Sequence, residues 1–456
     1  MALLVPMLLV VACQDTLVDG NAPVGLLNPT CQASQATCGG VCMAEDAGHC
    51  GASCADCSGE VFTDPHAVPA CVAHACGMAC APGTLRSGQT CQRAVAVTAG
   101  FAHACALLAD GAVKCWGANE HGQLGDGTTQ DRAAPVDAAL PGPASAVAAG
   151  YVHTCAAVSG DVYCWGDNTV GELGNLARGS TSHPGLVPGI SGVTALSGGG
   201  GENAGTPRTY YGHTCALAGG VVWCWGADES GQLGDGAFQV SRPAPAPVSG
   251  LGAGATAISA GDRHSCAVVA GAVQCWGADA AGQLGDGGSQ NRATPQQVVA
   301  SGALAVAAGS GHSCAVIGPA GSETLLCWGD NSSGQVAAGV NAPTVQHTPL
   351  QPSVGFAFHP TGVAAGNAHT CAFTAGAAGP VCFGSDASSE LGLPPAPRGL
   401  NVLTLASVQD LASGYSHNCA LLGDGSVRCW GDDTWGQLGN GSAGGTVAGP
   451  VVVSGN

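Results

Sequence analysis

Seven histidine and cysteine motifs are the residues of this chain best placed to do chemistry. Each reads His-x-Cys-Ala, led by His103, His153, His213, His264, His312, His369 or His417. A second cysteine follows nine to thirteen residues after the first. The pairs are Cys105 with Cys115, Cys155 with Cys164, Cys215 with Cys224, Cys266 with Cys275, Cys314 with Cys327, Cys371 with Cys382 and Cys419 with Cys429. In six of the seven the second cysteine opens Cys-Trp-Gly, and in the sixth unit Phe383 replaces the tryptophan. A ring of metal-binding histidines, or a cluster of tryptophan chromophores at Trp116, Trp165, Trp225, Trp276, Trp328 and Trp430, would use such residues. A residue that recurs once per unit, however, is most simply part of the unit. No Ser-His-Asp set, paired carboxylates or metal-ligand constellation stands outside the repeat. The expectation is therefore no catalytic residue, no metal and no cofactor.

What positions these residues is a hairpin repeated about every fifty residues, the spacing of a propeller blade. Between Cys215 and Cys224 the loop Gly219-Gly220 supplies the positive φ that a two-residue hairpin turn demands. Counting outward, the two cysteines fall opposite each other at a non-hydrogen-bonded pair, where Cα atoms lie about 4.5 Å apart and a disulfide can close. One extra residue between Cys105 and Cys115, or Cys419 and Cys429, is absorbed by the loops Ala109-Asp110-Gly111 and Gly423-Asp424-Gly425. Longer loops separate Cys314 from Cys327 and Cys371 from Cys382, so their register is less tightly specified. All seven pairs are expected to be cross-strand disulfides.

Fourteen of the 25 cysteines lie in these pairs, ten lie between Cys31 and Cys91, and Cys13 stands alone. The apolar run Met1 to Ala12 ends Val10-Val11-Ala12-Cys13, which resembles the lipobox of bacterial lipoproteins and implies a lipidated Cys13. Residues 1–12 then read as a signal peptide, 13–30 as a tether, 31–92 as a small disulfide-rich module and 93–456 as a seven-bladed all-β propeller. The stretch from Cys38 to Cys57 could alternatively hold zinc. With 11 basic against 30 acidic residues, the chain should be repelled by nucleic acid and anionic headgroups. Membrane contact is expected only through the anchor, with the protein monomeric at the cell envelope or outer surface, or secreted.

The full repeat runs Ala-Ala-Gly-x-x-His-x-Cys-Ala, then the turn, then Cys-Trp-Gly-x-Asn/Asp-x-x-Gly-Gln-Leu-Gly-Asp-Gly and a Pro-containing linker, as in Gly117 to Gly127, Gly226 to Gly236 and Gly277 to Gly287. This resembles the regulator of chromosome condensation repeat family, and the resemblance implies a seven-bladed β-propeller. Ala94 to Gly100 and Pro450 to Asn456 look like the two parts of one linker, so both chain ends are expected to complete a single blade.

Function should lie in what varies between units. The loop leading into each histidine and the loop after each Trp-Gly share one end of the hairpins. They carry Phe101, Tyr151, Tyr210, Tyr211, Asp262, Arg263 and Tyr415, and His121 and Trp435, respectively. Tyrosine, tryptophan and arginine on one face suit a protein interface, and the rings are expected to lie outside the blade cores. Secreted β-lactamase inhibitor proteins built on the same repeat carry aromatic residues in these loops. The resulting expectation is a lipid-anchored, extracytoplasmic scaffold that binds a protein or surface polymer. Two alternatives are inhibition of an extracellular enzyme and guanine-nucleotide exchange, the activity of the family's nuclear namesake.

Overall fold

The computed structural model describes residues 64–456 apart from 65, 73–74, 82, 204–208, 337–342, 353–358, 377–378, 395 and 456, together with short strands Gln35–Cys38 and Val41–Ala44. The chain divides into two units, Met1–Gln92 with Gly455–Asn456, and Arg93–Ser454. In the first unit Ala67–Val72 pairs with Ala75–Cys80 and Leu85–Ser87 with Thr90–Gln92, and a disulfide joins Cys80 to Cys91. Cys13, the zinc reading of Cys38 to Cys57 and the pairing of the remaining module cysteines lie outside the described residues.

The second unit is seven four-stranded antiparallel sheets, each made of four consecutive strands, with no helix among the described residues. Blade 1 runs from the innermost strand Ala94–Ala99 through His103–Leu108 and Val113–Gly117 to the outer strand Arg132–Asp137. Blades 2 to 7 repeat it from innermost strands Ala144–Ala149, Val193–Asn203, Ala255–Ala260, Ala303–Ala308, Gly362–Ala365 and Val408–Ser413. From its histidine to the alanine after its cysteine the second strand of every blade is buried, because both of its faces meet neighbouring blades, so buried residues run on without alternation. The prolines of the linkers fall in the outer strands, for example Pro135, Pro243 and Pro450, where a missing N–H faces outward and breaks no ladder.

The second and third strands of every blade hold the cysteine pair in register. Cys105 stands opposite Cys115, Cys155 opposite Cys164, Cys215 opposite Cys224 and Cys266 opposite Cys275. Cys314 stands opposite Cys327, Cys371 opposite Cys382 and Cys419 opposite Cys429. All seven pairs are disulfides, with Cα atoms 4.1–4.2 Å apart. Gly219 and Gly220 have φ of 58° and 80°, as their turn requires. The longer loops before Cys327 and before Cys382 do not shift the register, because the loop takes up the extra residues outside the ladder.

Ring closure differs from the sequence expectation. Thr446–Val452 is the outer strand of blade 7 and Ala94–Ala99 the inner strand of blade 1, so no blade is shared between the chain ends. The linker forms an outer strand before it enters the next blade, which completes each unit within itself. Blade 7 instead meets blade 1 directly: Trp116 Nε1 donates to the Gln437 carbonyl at 2.9 Å, as the other five blade tryptophans do to the preceding blade, and the Val97 amide donates to Asp410 at 3.2 Å.

That joint explains the recurring residues. Thr154 Oγ1 donates to the Gln123 carbonyl of blade 1 at 2.8 Å, and Trp165 Nε1 donates to the same carbonyl at 2.9 Å. With its proton committed, Thr154 must accept from His103 Nε2 at 3.0 Å, which fixes a neutral imidazole with its proton on Nε2. The same relay links His153 to Thr214, His213 to Ser265, His264 to Ser313 and His312 to Thr370, and His369 meets Asn418 Oδ1. In six blades the repeat glycine lies against this ring: a Cβ on Gly100, for example, would overlap both His103 and the Gly150 carbonyl. The histidines and tryptophans are thus joinery between blades.

Candidate binding face at the propeller axis

The innermost strands end in a ring of glycines around the axis. Next to them stand Phe101 in blade 1, Tyr151 in blade 2, Gly200 in blade 3, Asp262 in blade 4, Ser310 in blade 5, Asn367 in blade 6 and Tyr415 in blade 7. Backbone bonds tie them together: Phe101 N to Tyr151 O, Gly200 N to Gly261 O, Asp262 N to Gly309 O, Ser310 N to Gly366 O, Asn367 N to Tyr415 O and Tyr415 N to Gly100 O, at 3.0–3.4 Å. They surround a cavity of about 100 Å³ that opens to solvent.

The structure brings most of the candidate residues together here. Phe101 stacks on Tyr151 with centroids 4.5 Å apart and meets Tyr415 edge-on at 5.1 Å. Tyr151 also lies 5.9 Å from Tyr415 and 6.1 Å from Tyr210, and Tyr210 meets His121 edge-on at 4.9 Å. Both loop sets therefore share one face. Beside this cluster, Tyr211 Oη donates to Asp262 at 3.3 Å, and the Arg263 guanidinium lies 3.7 Å over the Tyr211 ring while Nη2 donates to Asn203 at 2.6 Å. Trp435 is apart from these ring contacts, 43 % exposed.

Two expectations need correction. Tyr151 and Tyr211 are buried, at 6 % and 7 % exposure, and belong to the packing of the face. Tyr210 and Tyr211 sit in strand Thr209–Ala218, because the Gly-rich insertion extends the first hairpin of blade 3. Of the tyrosines on this face, Tyr415 is the most open, at 37 %.

Burial sets the electrostatics. It pushes the Tyr211 hydroxyl up to about 12, with the Asp262 charge adding to the effect, and raises Tyr151 further. The Asp262 carboxyl is raised to about 6 by burial, against hydrogen bonds from Ser310 Oγ at 2.9 Å and Tyr211. At the rim, His121 Nδ1 is 3.5 Å from Asp167. Burial raises Asp167, but bonds from His121, Glu172, Thr169 and Ser180 outweigh it and hold the carboxyl far below its usual range. Burial and the Asp167 charge push Glu172 well up, at a position where most blades carry glutamine.

Ser310 and Asn367 escape a search for aromatic and charged residues. Reading down the one column that follows the repeat glycine finds them. Among the described residues no group of three or more His, Cys, Asp or Glu could hold a metal.

Fold and site together define a repeat-built β-propeller with a distinct axial face. The Regulator of chromosome condensation (RCC1) repeat matches residues 94–123, 144–172 and 408–437 in one form and 110–157, 159–203, 219–268 and 270–316 in another, more than half of the chain. The chain belongs to this repeat family. It is 31 % identical over 252 residues to the human E3 ubiquitin-protein ligase HERC2, covering 54 % of this chain and 5 % of the ligase. It is 29 % identical over 249 residues to the ultraviolet-B receptor UVR8 of Arabidopsis thaliana, covering 53 % of this chain and 54 % of the receptor. Human WBSCR16 superposes with a TM-score of 0.64 at 20 % identity, covering 75 % of this chain and 94 % of that one. Yeast RCC1 (Prp20), solved bound to Kap60, superposes with a TM-score of 0.63 at 19 % identity, covering 80 % and 85 %.

Proposed function

We propose that this propeller is an extracytoplasmic, lipid-anchored binding scaffold, not an enzyme, which recognises a protein or surface polymer through its axial face. The observation that carries this reading is the gathering of Phe101, Tyr151, Tyr210 and Tyr415 at one end of the axis, away from the tryptophans buried in the joints. Rigid rings at the centre of a face are what interface hot spots use. Eight disulfides among the described residues fit a chain that folds in an oxidising compartment. The apolar run before Cys13 supports attachment by lipid, and no helix among the described residues is long and apolar enough to cross a membrane. Yeast RCC1 (Prp20), which shares this fold, is solved with Kap60 bound to it, and a second structure of that yeast protein is described with its binding properties to Gsp1p and histones.

The test is affinity capture from the cell envelope followed by titration of variants. Tyr415→Ala and Trp435→Ala should each weaken binding by about tenfold or more. Asp424→Asn, in a hairpin turn at the opposite end of blade 7, should leave affinity unchanged. Loss of binding in Asp424→Asn with retention in both aromatic variants would overturn the reading.

A further inference from the structure

The axial cavity is two-sided in its chemistry. On the consecutive blades 7, 1 and 2 it is walled by Tyr415, Phe101 and Tyr151, and on blades 4, 5 and 6 by Asp262, Ser310 and Asn367. Glycine at the blade 3 position and the glycine ring below leave backbone as the rest of the wall. A cavity of about 100 Å³ has room for roughly three waters at about 30 Å³ each, so a single sugar ring would seat part of its bulk inside and the rest at the open mouth. The ligand that fits must be compact, with one apolar face and an edge rich in hydroxyls.

We infer that the cavity binds one neutral pyranose unit of a surface glycan, its C–H face against Phe101 and Tyr415 and its hydroxyl edge on Asp262, Ser310 and Asn367. This rests on the scaffold reading above and names the kind of polymer. Several features select against other ligand classes. Among the described residues no cation lines the opening, and Arg263 is turned onto Tyr211, Asn203 and Glu229, so a phosphate or carboxylate would enter unpaired. Phe101 and Tyr151 stack and Tyr415 stands edge-on to both, with centroids 4.5–5.9 Å apart, so the three rings make one apolar wall with no gap between them for an ammonium group. Asp262 Oδ2 already accepts from Ser310 and Tyr211, so the carboxyl serves a hydrogen-bond network that hydroxyls can extend, as both donors and acceptors. Asn367 lines the cavity and makes its ring contact through the backbone amide, and a carboxamide can both donate to and accept from a hydroxyl.

The experiment is saturation-transfer NMR on the full chain with the methyl glycosides of glucose, galactose, mannose and N-acetylglucosamine, at concentrations where millimolar affinity registers. At least one glycoside should show transfer to its ring C–H protons. Asn367→Ala and Tyr415→Ala should weaken that binding about tenfold or more, and Asp424→Asn, in the turn at the opposite end of blade 7, should leave it unchanged. A circular dichroism melt of each variant confirms that the fold is kept. Silence from all four sugars overturns the inference, as does binding that survives Asn367→Ala and Tyr415→Ala together. Binding of tetramethylammonium in place of the sugars would also overturn it, in favour of a cationic ligand. The scaffold reading fails separately: if the sugars are silent but Trp435→Ala and Tyr415→Ala still lose the captured partner, the face stands and only the glycan falls.

Discussion

At the scale of single residues, the joint between blades shows what one side chain contributes. Six blades place Thr, Ser or Asn after the histidine, and each receives the preceding blade's Nε2–H. Blade 1 has Ala104 at that position, and His417 Nε2 is buried without a partner. The carbonyl that a hydroxyl there would use, that of Gln437, is in place and already accepts from Trp116. Ala104→Ser should therefore complete the seventh relay and raise stability by about 1 kcal/mol, while Thr154→Ala, which orphans His103, should cost about 1–3 kcal/mol. Urea midpoints at constant m-value decide it. A destabilised Ala104→Ser would mean that the seventh joint is too tight to take a hydroxyl.

At the scale of elements, each blade is a hairpin closed by a disulfide and flanked by an inner and an outer strand. Cys266 and Cys275 close a loop with a sequence separation of 9, for which the chain-entropy account gives about 2.5–3 kcal/mol. Replacing both with alanine should lower stability by about that amount and leave the fold, because Leu284, Val273 and Trp328 still form the core between blades 4 and 5. Unfolding of the whole propeller in the absence of denaturant would refute the additive, nearest-neighbour picture. The cysteine-bounded hairpins were legible because cysteine spacing and turn glycines obey local rules. The outer strands were not, since Pro-rich segments such as Ser241–Pro247 lack strand alternation and read as linker. Strand Val193–Asn203 was hidden for a related reason: its Gly198 to Gly201 run carries no side-chain pattern, and only pairing with Thr209–Ala218 makes it a strand. The axial site was half legible. Aromatic loop residues stand out in a chain this poor in them, whereas the burial of Tyr151 and Tyr211 depends on neighbouring blades that no local window contains.

At the scale of the whole molecule, repetition turns small protonation effects into a large one. All seven joint histidines are fully buried, which lowers them to about 3 or 4. Below about pH 6.5 the unfolded chain protonates them and the fold does not, so each lowers stability as pH falls toward 4. A second column opposes them. Where blades 1, 2 and 5 carry Asn119, Asn168 and Asn331, whose Nδ2 donates to backbone carbonyls, blades 3, 4 and 6 carry Asp228, Asp279 and Asp386, each with Oδ2 buried and unpartnered. Burial raises these carboxyls to about 7, 6 and 6, so the fold takes up their protons before the unfolded chain does, and they add stability as pH falls toward 4. Asp262 and Asp433, also raised to about 6, act in the same sense, as do Glu172, Glu390 and Asp410, which burial raises, so eight carboxyls stand against seven histidines. The two columns nearly cancel between about pH 6 and 4, and below that Asp126, Asp167, Asp286 and Asp424, whose carboxyls the fold holds below their usual range, lose their contribution as well. The protein should hold a nearly constant urea midpoint from pH 6 to 4 and then lose it steeply. The triple variant Asp228→Asn, Asp279→Asn, Asp386→Asn should be more stable than the parent at pH 7.5, since each amide can donate where the carboxylate could not, and should lose stability steadily from pH 6.5 downward once the histidines are less opposed. A variant whose profile keeps the parent's plateau would show that the carboxyls do not balance the ring.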